Sequence, residues 1–313
     1  MFRGMDTKKQ ADLQMLLVTL LWGSSYLFMK EGLGSIQEIN LIALRFGFAF
    51  LLLGILFYKK WSYVTVRLVG QGFILGAVLF MAFVFITYGV KRTSTSQAGF
   101  LISLSVVFVP LFTSLWGRKL PSRKMAGCIM LAVIGISLLT LDQSLSIGSG
   151  DLLCILGAMM YAVYIIVSGV MVRKGDAIVL SILQLGFAGG IAFIFSFLFE
   201  QPKLPNSSGA WIAVMGLTIL CSAAAYTLQI LAQRHMTSTR AGLIFSLEPV
   251  FAAGFAFVFY GERLPWNGFV GACLILSGVL LTEITPRLPQ RFRKQKHTEQ
   301  IGVEINLSEG SST

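Results

Sequence analysis

Charged side chains are scarce in this chain. Asp, Glu, Lys and Arg make up 12% of its 313 residues, whereas 55% of the residues are hydrophobic and the mean hydropathy is +0.77. A soluble domain of this length carries about twice that share of charged residues. The composition therefore excludes an ordinary soluble protein and indicates that lipid surrounds most of the chain.

Residues typical of metal sites and nucleophilic catalysis are also few. The two histidines, His235 and His297, have no neighbour at ligand spacing, and the sequence contains no CxxC, HExxH, GxSxG or Walker A motif. We therefore expect no metal, no cofactor and no enzymatic activity. An intramembrane enzyme, the alternative, would need a carboxylate pair or a Ser/His dyad. The cysteines stand in separate apolar runs and are predicted to be packing residues: Cys128, Cys154, Cys221 and Cys273.

Ten apolar runs separated by short polar loops fill the chain between its two ends. A membrane-spanning helix needs about 20 mostly apolar residues. The sequence thus predicts an all-α integral membrane protein with ten transmembrane helices, numbered as spans one to ten. These spans are Leu13 to Met29, Ile39 to Tyr58, Leu68 to Val90, Ser96 to Trp116, Met125 to Leu141, Leu152 to Val172, Ile178 to Phe199, Trp211 to Gln233, Thr239 to Tyr260 and Trp266 to Ile284.

The basic residues follow this topology. A net charge of +11 is compatible with nucleic acid binding, but the positive charges are spread over the loops between spans and do not form one patch. Ten spans place nineteen of the 25 Lys and Arg residues on the side of both termini and five on the other side, with Arg45 inside the membrane. The positive-inside rule then predicts a multi-pass protein of the cell membrane with both termini in the cytoplasm and no nucleic acid partner.

The two halves of the chain are related in sequence. The matches at one offset are Ala98-Gly99 with Ala241-Gly242, Ser103-Leu104 with Ser246-Leu247 and Val107-Phe108 with Val250-Phe251, and one residue later Gly117 to Pro121 matches Gly261 to Pro265. Each half holds five spans, an odd number, so the second half inserts upside down relative to the first. Inverted repeats are typical of transporters that work by alternating access. The alternative is a duplication that serves stability alone.

This repeat divides the chain into four regions. Residues 13–143 form the first predicted five-helix repeat and residues 144–285 form the second. Residues 1–12 are a predicted cytoplasmic N-terminal segment. Residues 286–313 are predicted to be a cytoplasmic tail, first basic and then disordered.

Several motifs give the chain a resemblance to a known family. The run from Ala241 to Gly254 with Gly261 to Pro265, the run Leu21 to Ser25 with Lys30, and the run Tyr88 to Phe100 are similar to motifs of the EamA branch of the drug/metabolite transporter superfamily. The likeness extends from about Leu13 to Thr285. One departure is that the first half has Ser105-Val106 where the second has Glu248-Pro249.

The resemblance implies a ten-helix bundle with a central cavity lined by spans one, three, four, six, eight and nine. It implies secondary transport of a small-molecule substrate, with export of amino acids or related metabolites as the expected function. A multidrug or cationic compound exporter and a metabolite uptake carrier are the alternatives within this class. A membrane receptor is the alternative in another class, and it would bind a ligand without net flux.

Two ionisable residues lie deep inside apolar spans, where a charge is costly unless it faces a cavity or a partner. Glu248 stands near the middle of span nine and is the candidate proton or substrate-cation site, with protons as the candidate coupling ion. The alternative is that Glu248 braces backbone groups at a kink made by Pro249. Arg45 in span two is a candidate structural residue or a partner of an anion.

Polar and aromatic residues at helical spacing mark faces that avoid lipid. In spans one, six and eight these stripes predict cavity-lining residues, and hydrogen bonding between helices is the alternative. On spans four and nine, Ser103 and Ser246 are candidates too, although close helix packing also accounts for them. The full set of predicted cavity-lining residues is Trp22, Tyr26, Tyr88, Ser103, Tyr161, Tyr164, Tyr226, Gln229, Ser246 and Glu248.

Overall fold

The computed structural model describes residues 7–93, 95–117, 122–140, 148–260 and 266–283, and these residues contain helices and connecting turns but no strand. The first half contains α1 (Thr7–Gly23), α2 (Ser25–Leu33), α3 (Glu38–Leu56), a 3-10 helix (Tyr58–Tyr63), α4 (Val66–Arg92), α5 (Thr95–Ser103), α6 (Ser105–Gly117) and α7 (Arg123–Thr140). The second contains α8 (Ser149–Met171), a 3-10 turn (Val172–Lys174), α9 (Ala177–Phe199), α10 (Ser208–Gly216), a π-helix (Leu217–Ala224), α11 (Ala225–Gln233), α12 (Ser238–Phe245), α13 (Glu248–Tyr260) and α14 (Trp266–Glu283). The predicted tail, residues 286–313, lies outside the described residues.

Several helices follow one another with a break of only one or two residues. Joined across these breaks, the described helices form ten successive segments, and α1 begins six residues before the first predicted span. Within the described ranges, seven segments are long and apolar enough to cross a membrane, and two further apolar helices, Leu101–Trp116 and Trp266–Gly278, are shorter. The all-helical membrane architecture is therefore confirmed, whereas ten complete spans stay a prediction.

The breaks in the two halves fall at matching places. α5 and α6 are separated at Leu104, and α12 and α13 at Ser246 and Leu247, which are the positions paired by the sequence repeat. In each half the serine at the break donates to a backbone carbonyl: Ser103 Oγ to the Gly99 oxygen at 2.7 Å and Ser246 Oγ to the Leu243 oxygen at 2.6 Å. Such bonds compete with the helical pattern, and Pro249 has no N–H to bond the Phe245 carbonyl.

Glycines set the closest helix crossings. α3 runs antiparallel to α9, and a Cβ added to Gly189 would lie 2.6 Å from the Gly47 nitrogen. α7 runs antiparallel to α14 in the same way, because a Cβ on Gly135 would lie 2.6 Å from the Gly271 oxygen and one on Gly278 would lie 3.0 Å from the Cys128 oxygen. Such close backbone approach requires residues without a side chain.

Ion pairs connect helices at both ends of the bundle. At the end where α1 begins, which we call the basal end, Lys60 pairs with Asp176 at 2.8 Å and Arg240 with Asp12 at 2.9 Å. At the opposite, apical end, Lys91 pairs with Glu38 at 2.9 Å. Burial by itself would raise the pKa of the Asp176 carboxyl, but the hydrogen bonds from Lys60 and from the first backbone N–H groups of α9 lower the pKa on balance.

The α3–α9 crossing yields a direct test with a neighbouring control. We expect Gly189→Ala to lower the free energy of unfolding by about 1–3 kcal/mol, because the new methyl group meets backbone that has no room to shift. Gly190→Ala should change it by less than about 0.5 kcal/mol, because no atom outside the adjoining backbone of α9 lies within 4 Å of a Cβ there. Thermal unfolding of the two purified variants checks this, and equal melting temperatures would contradict the packing argument.

Candidate functional site

A central cavity lies where the broken helices meet. It contains about 400 Å³ of atom-free space, counting space continuous with the outside, and its walls come from α1, α2, α3, α4, α5, α8, α11 and α13. Spans one, three, four, six, eight and nine all contribute, and span two adds Arg45. The lining residues are Trp22, Ser25, Tyr26, Met29, Arg45, Phe83, Ile86, Ile102, Tyr161, Tyr226 and Glu248.

Aromatic rings form one wall of the cavity. The Trp22 ring lies 5.8 Å from that of Tyr161, 5.2 Å from that of Tyr226 and 5.0 Å from that of Phe245, measured between centroids. The indole N–H of Trp22 donates to the carbonyl of Cys221 at 3.0 Å. This carbonyl belongs to the π-helix, at whose end the N–H of Ala225 bonds to the carbonyls of Leu220 and Ser222. The irregular helix thus fixes the orientation of the central ring.

Glu248 enters the cavity as the first residue of α13. Its carboxyl group is half-buried and lies in the same cavity as Tyr26 on α2. The start of a helix carries unpaired N–H groups and a partial positive charge, and both favour a carboxylate there. The break before α13 therefore gives the acidic side chain a favourable place inside an apolar bundle.

Arg45 occupies another wall and is 2% exposed. Its Nε donates to Ser222 Oγ at 3.0 Å, and its guanidinium carbon lies 4.9 Å and 4.7 Å from the ring centroids of Phe46 and Phe83. No carboxylate forms an ion pair with it among the described residues. The positive charge is thus held by two aromatic faces and one hydroxyl group.

A buried cluster of polar side chains continues from the cavity toward the basal end. Its members, which we call the amide cluster, are Tyr164, Ser168, Gln184, Gln229 and Gln233, and all five side chains are fully buried. The Tyr164 hydroxyl donates to Gln184 Oε1 at 3.0 Å, and Ser168 Oγ donates to Gln233 Oε1 at 2.7 Å. Gln233 Nε2 in turn donates to the Ile165 carbonyl at 3.0 Å. The Tyr164 ring stacks on that of Tyr161 at 5.6 Å, so this cluster adjoins the cavity wall.

The structure brings half of the predicted lining residues together at the cavity: Trp22, Tyr26, Tyr161, Tyr226 and Glu248. The other five lie outside its walls. Tyr164 and Gln229 belong to the amide cluster, and Ser103 and Ser246 donate to backbone carbonyls at the helix breaks. Tyr88 lies at the apical end, where its hydroxyl donates to Glu200 Oε1 at 3.5 Å. These five side chains are engaged in contacts between or within helices in this conformation.

Sequence reasoning missed five of the lining residues: Ser25, Met29, Phe83, Ile86 and Ile102. Met29 follows Trp22 by seven positions, so the helical spacing contained a signal for it. Phe83 and Ile86 had none, because apolar residues facing a cavity look like apolar residues facing lipid. Within the described ranges, no group of three His, Cys, Asp or Glu side chains is placed to hold a metal ion.

Comparison with known proteins agrees with the motifs. The model of the EamA-like transporter family matches residues 9–141 and again residues 148–284. An uncharacterized transporter of Archaeoglobus fulgidus is 31% identical over 292 residues, which cover 87% of this chain and 97% of the relative. The uncharacterized transporter YoaV of Bacillus subtilis is 22% identical over 86% of this chain and 94% of its own length. A chain of known crystal structure shares the fold, with a TM-score of 0.73 at 18% identity over 88% of this chain and 96% of its own.

The amide cluster can be tested by removing one amide. We expect Gln233→Leu to lower the free energy of unfolding by about 1–3 kcal/mol, because it removes two buried hydrogen bonds, one accepted from Ser168 and one donated to the Ile165 carbonyl. Gln201→Leu is the matched control, since the Gln201 side chain is exposed and only its backbone N–H bonds Gln37. Thermal unfolding compares the two variants. A Gln233→Leu protein as stable as the control would contradict a cohesive role for the cluster.

Proposed function

The chain belongs to the EamA-like transporter family, and from this premise we propose that it is a secondary transporter that exports amino acids or related small metabolites. The observation that carries the proposal is the central cavity, in which a buried cation, a carboxyl group and an aromatic wall line one space. Such a cavity fits a small amphipathic solute with polar ends. Membership of this family makes the chain a multi-pass membrane protein and a transporter; the solute is part of the proposal.

Ten spans in two inverted repeats are part of this proposal. The family model matches the chain twice, once in each half. The counterpart helices α3 and α9 run antiparallel, as α7 and α14 do, and this is the relation that inverted insertion requires. The helix breaks at Leu104 and at Ser246-Leu247 also overlap in the repeat alignment, in which Leu104 is paired with Leu247. Together these features favour the inverted repeat over a duplication in the same orientation.

Alternating access follows from this symmetry. The amide cluster, whose five side chains are fully buried, lies between the cavity wall and the basal end. We propose that these groups become hydrated when the basal end opens, because amides and hydroxyls line a water-filled path at little cost. The basal end corresponds to the cytoplasm, since the predicted charge bias places both termini there.

The nature of the solute distinguishes the remaining candidates. The aromatic wall and Glu248 would also suit a cationic compound, so a multidrug exporter is the second candidate function. Arg45 opposes it, because a purely cationic solute would have to share the cavity with a buried guanidinium. Flux in proteoliposomes tests the proposal with labelled amino acids, nucleobases and cationic drugs, with and without a pH gradient. Uptake of amino acids that responds to the gradient supports it, and ligand binding without flux would indicate a receptor.

Glu248 is the proposed proton site, and it generates a prediction of its own. We expect Glu248→Gln to abolish the response of flux to a pH gradient, because an amide does not exchange a proton in this range, while the protein still folds. Glu31→Gln is the control, since Glu31 also carries a carboxyl group but is exposed near the end of α2. Flux with and without the gradient measures both. An unchanged response in Glu248→Gln would leave Glu248 as a brace at the break before α13.

A further inference from the structure

Arg45 is a buried basic residue that forms no ion pair among the described residues. Its side chain is 2% exposed, and its one hydrogen bond among the described residues is the Nε bond to Ser222 at 3.0 Å. The two terminal nitrogens of the guanidinium, which carry four N–H groups, have no protein acceptor in the described ranges. Arg45 is also a lining residue of the central cavity.

An arrangement of this kind is costly for a merely structural residue. Structural arginines in apolar interiors are paired with carboxylates or saturated with carbonyl acceptors, because an unpaired buried charge is expensive. Two aromatic faces offset part of the cost, since the Arg45 guanidinium lies within 5 Å of the rings of Phe46 and Phe83. These rings hold the flat guanidinium in place but accept no hydrogen bond in its plane. The planar guanidinium is thus held in one orientation, and its terminal N–H groups are left without an acceptor among the described residues.

We infer that Arg45 is the subsite for an anionic oxygen group of the transported solute. A guanidinium with free terminal N–H groups binds a carboxylate or a phosphate through two parallel hydrogen bonds. Ser222 and the two phenylalanine rings hold the guanidinium in position for this contact. The inference rests on the proposed transport function and narrows its substrate class to solutes that carry an acid group.

Glu248 decides which acid group fits better. The cavity holds one basic and one acidic side chain, and these do not form an ion pair with each other. A solute with one carboxylate and one ammonium group matches both charges, whereas a phosphate dianion would add excess negative charge beside the carboxyl group of Glu248. The zwitterion is therefore the form of solute that the cavity favours, and it brings no net charge into the apolar interior.

Matched ligands test this inference. Binding to the purified protein is measured by calorimetry for phenylalanine, for phenethylamine, which lacks the carboxylate, for 3-phenylpropanoate, which lacks the ammonium group, and for phosphoethanolamine. The unmodified protein should prefer phenylalanine over phenethylamine by about tenfold or more, the effect expected of a hydrogen bond to a charged group. A preference for phosphoethanolamine would identify phosphate as the anionic group. Binding of phenethylamine as tight as that of phenylalanine, or no binding by any acid, would overturn the inference.

Variants separate this role from a structural one. In Arg45→Met the preference for the carboxylate should vanish while the affinity for phenethylamine is kept, and Arg45→Lys should retain part of the preference. If Arg45 had only a structural role, Arg45→Met would instead lower the affinity for every ligand, or the melting temperature, and the ratio of the affinities for phenylalanine and phenethylamine would not change. That result would also overturn the inference. Counterflow with the same ligands keeps the proposed function distinct. A preference for the carboxylate without flux would contradict the proposed transport but not the anion subsite. Flux of amines without flux of acids would contradict the anion subsite but not transport.

Discussion

An ionised side chain in an apolar bundle has to be compensated, and most of the central architecture serves that requirement. Arg45 lies against two aromatic rings and a serine hydroxyl, and Glu248 lies at the start of a helix in the same cavity as Tyr26. The break before α13 gives the Glu248 carboxyl a helix start with unpaired N–H groups, and the π-helix contributes the Ser222 hydroxyl to Arg45.

The same breaks connect the fold to its function. Where α12 gives way to α13, a serine and a proline interrupt the hydrogen-bond pattern, and the carboxyl group of Glu248 reaches the cavity. In the first half the corresponding break carries Ser105 and not an acid, so one repeat supplies the acidic group and the other supplies Arg45. The same family model matches both halves, but the halves contribute opposite charges to the cavity. Two unlike charges in one cavity suit the proposed solute, whose two ends differ.

Some of this arrangement was readable from the residues. Hydropathy identified the helices, because a chain that crosses lipid must keep its backbone bonds within apolar helical runs. Trp22, Tyr26, Tyr161 and Tyr226 were predicted from helical spacing, and all four line the cavity. The motifs around Glu248 predicted the family that the comparisons show. Periodicity did not separate Tyr226 from Gln229 on the same stripe, although one lines the cavity and the other joins the amide cluster.

The sequence by itself therefore determined the apolar surroundings of the chain, its helices, its relation to a transporter family and the presence of two ionisable residues within apolar runs, because hydropathy and motif spacing are local properties. Only the tertiary structure decided what those charges meet. Arg45 and Ser222 are 177 positions apart, and Trp22 and Cys221 are 199 apart. Phe83 lies in an apolar helix, and its neighbours in the sequence do not indicate that its ring contacts a guanidinium. Such contacts depend on how helices from both halves cross, and close crossings depend on pairs of surfaces that no single stretch of sequence contains.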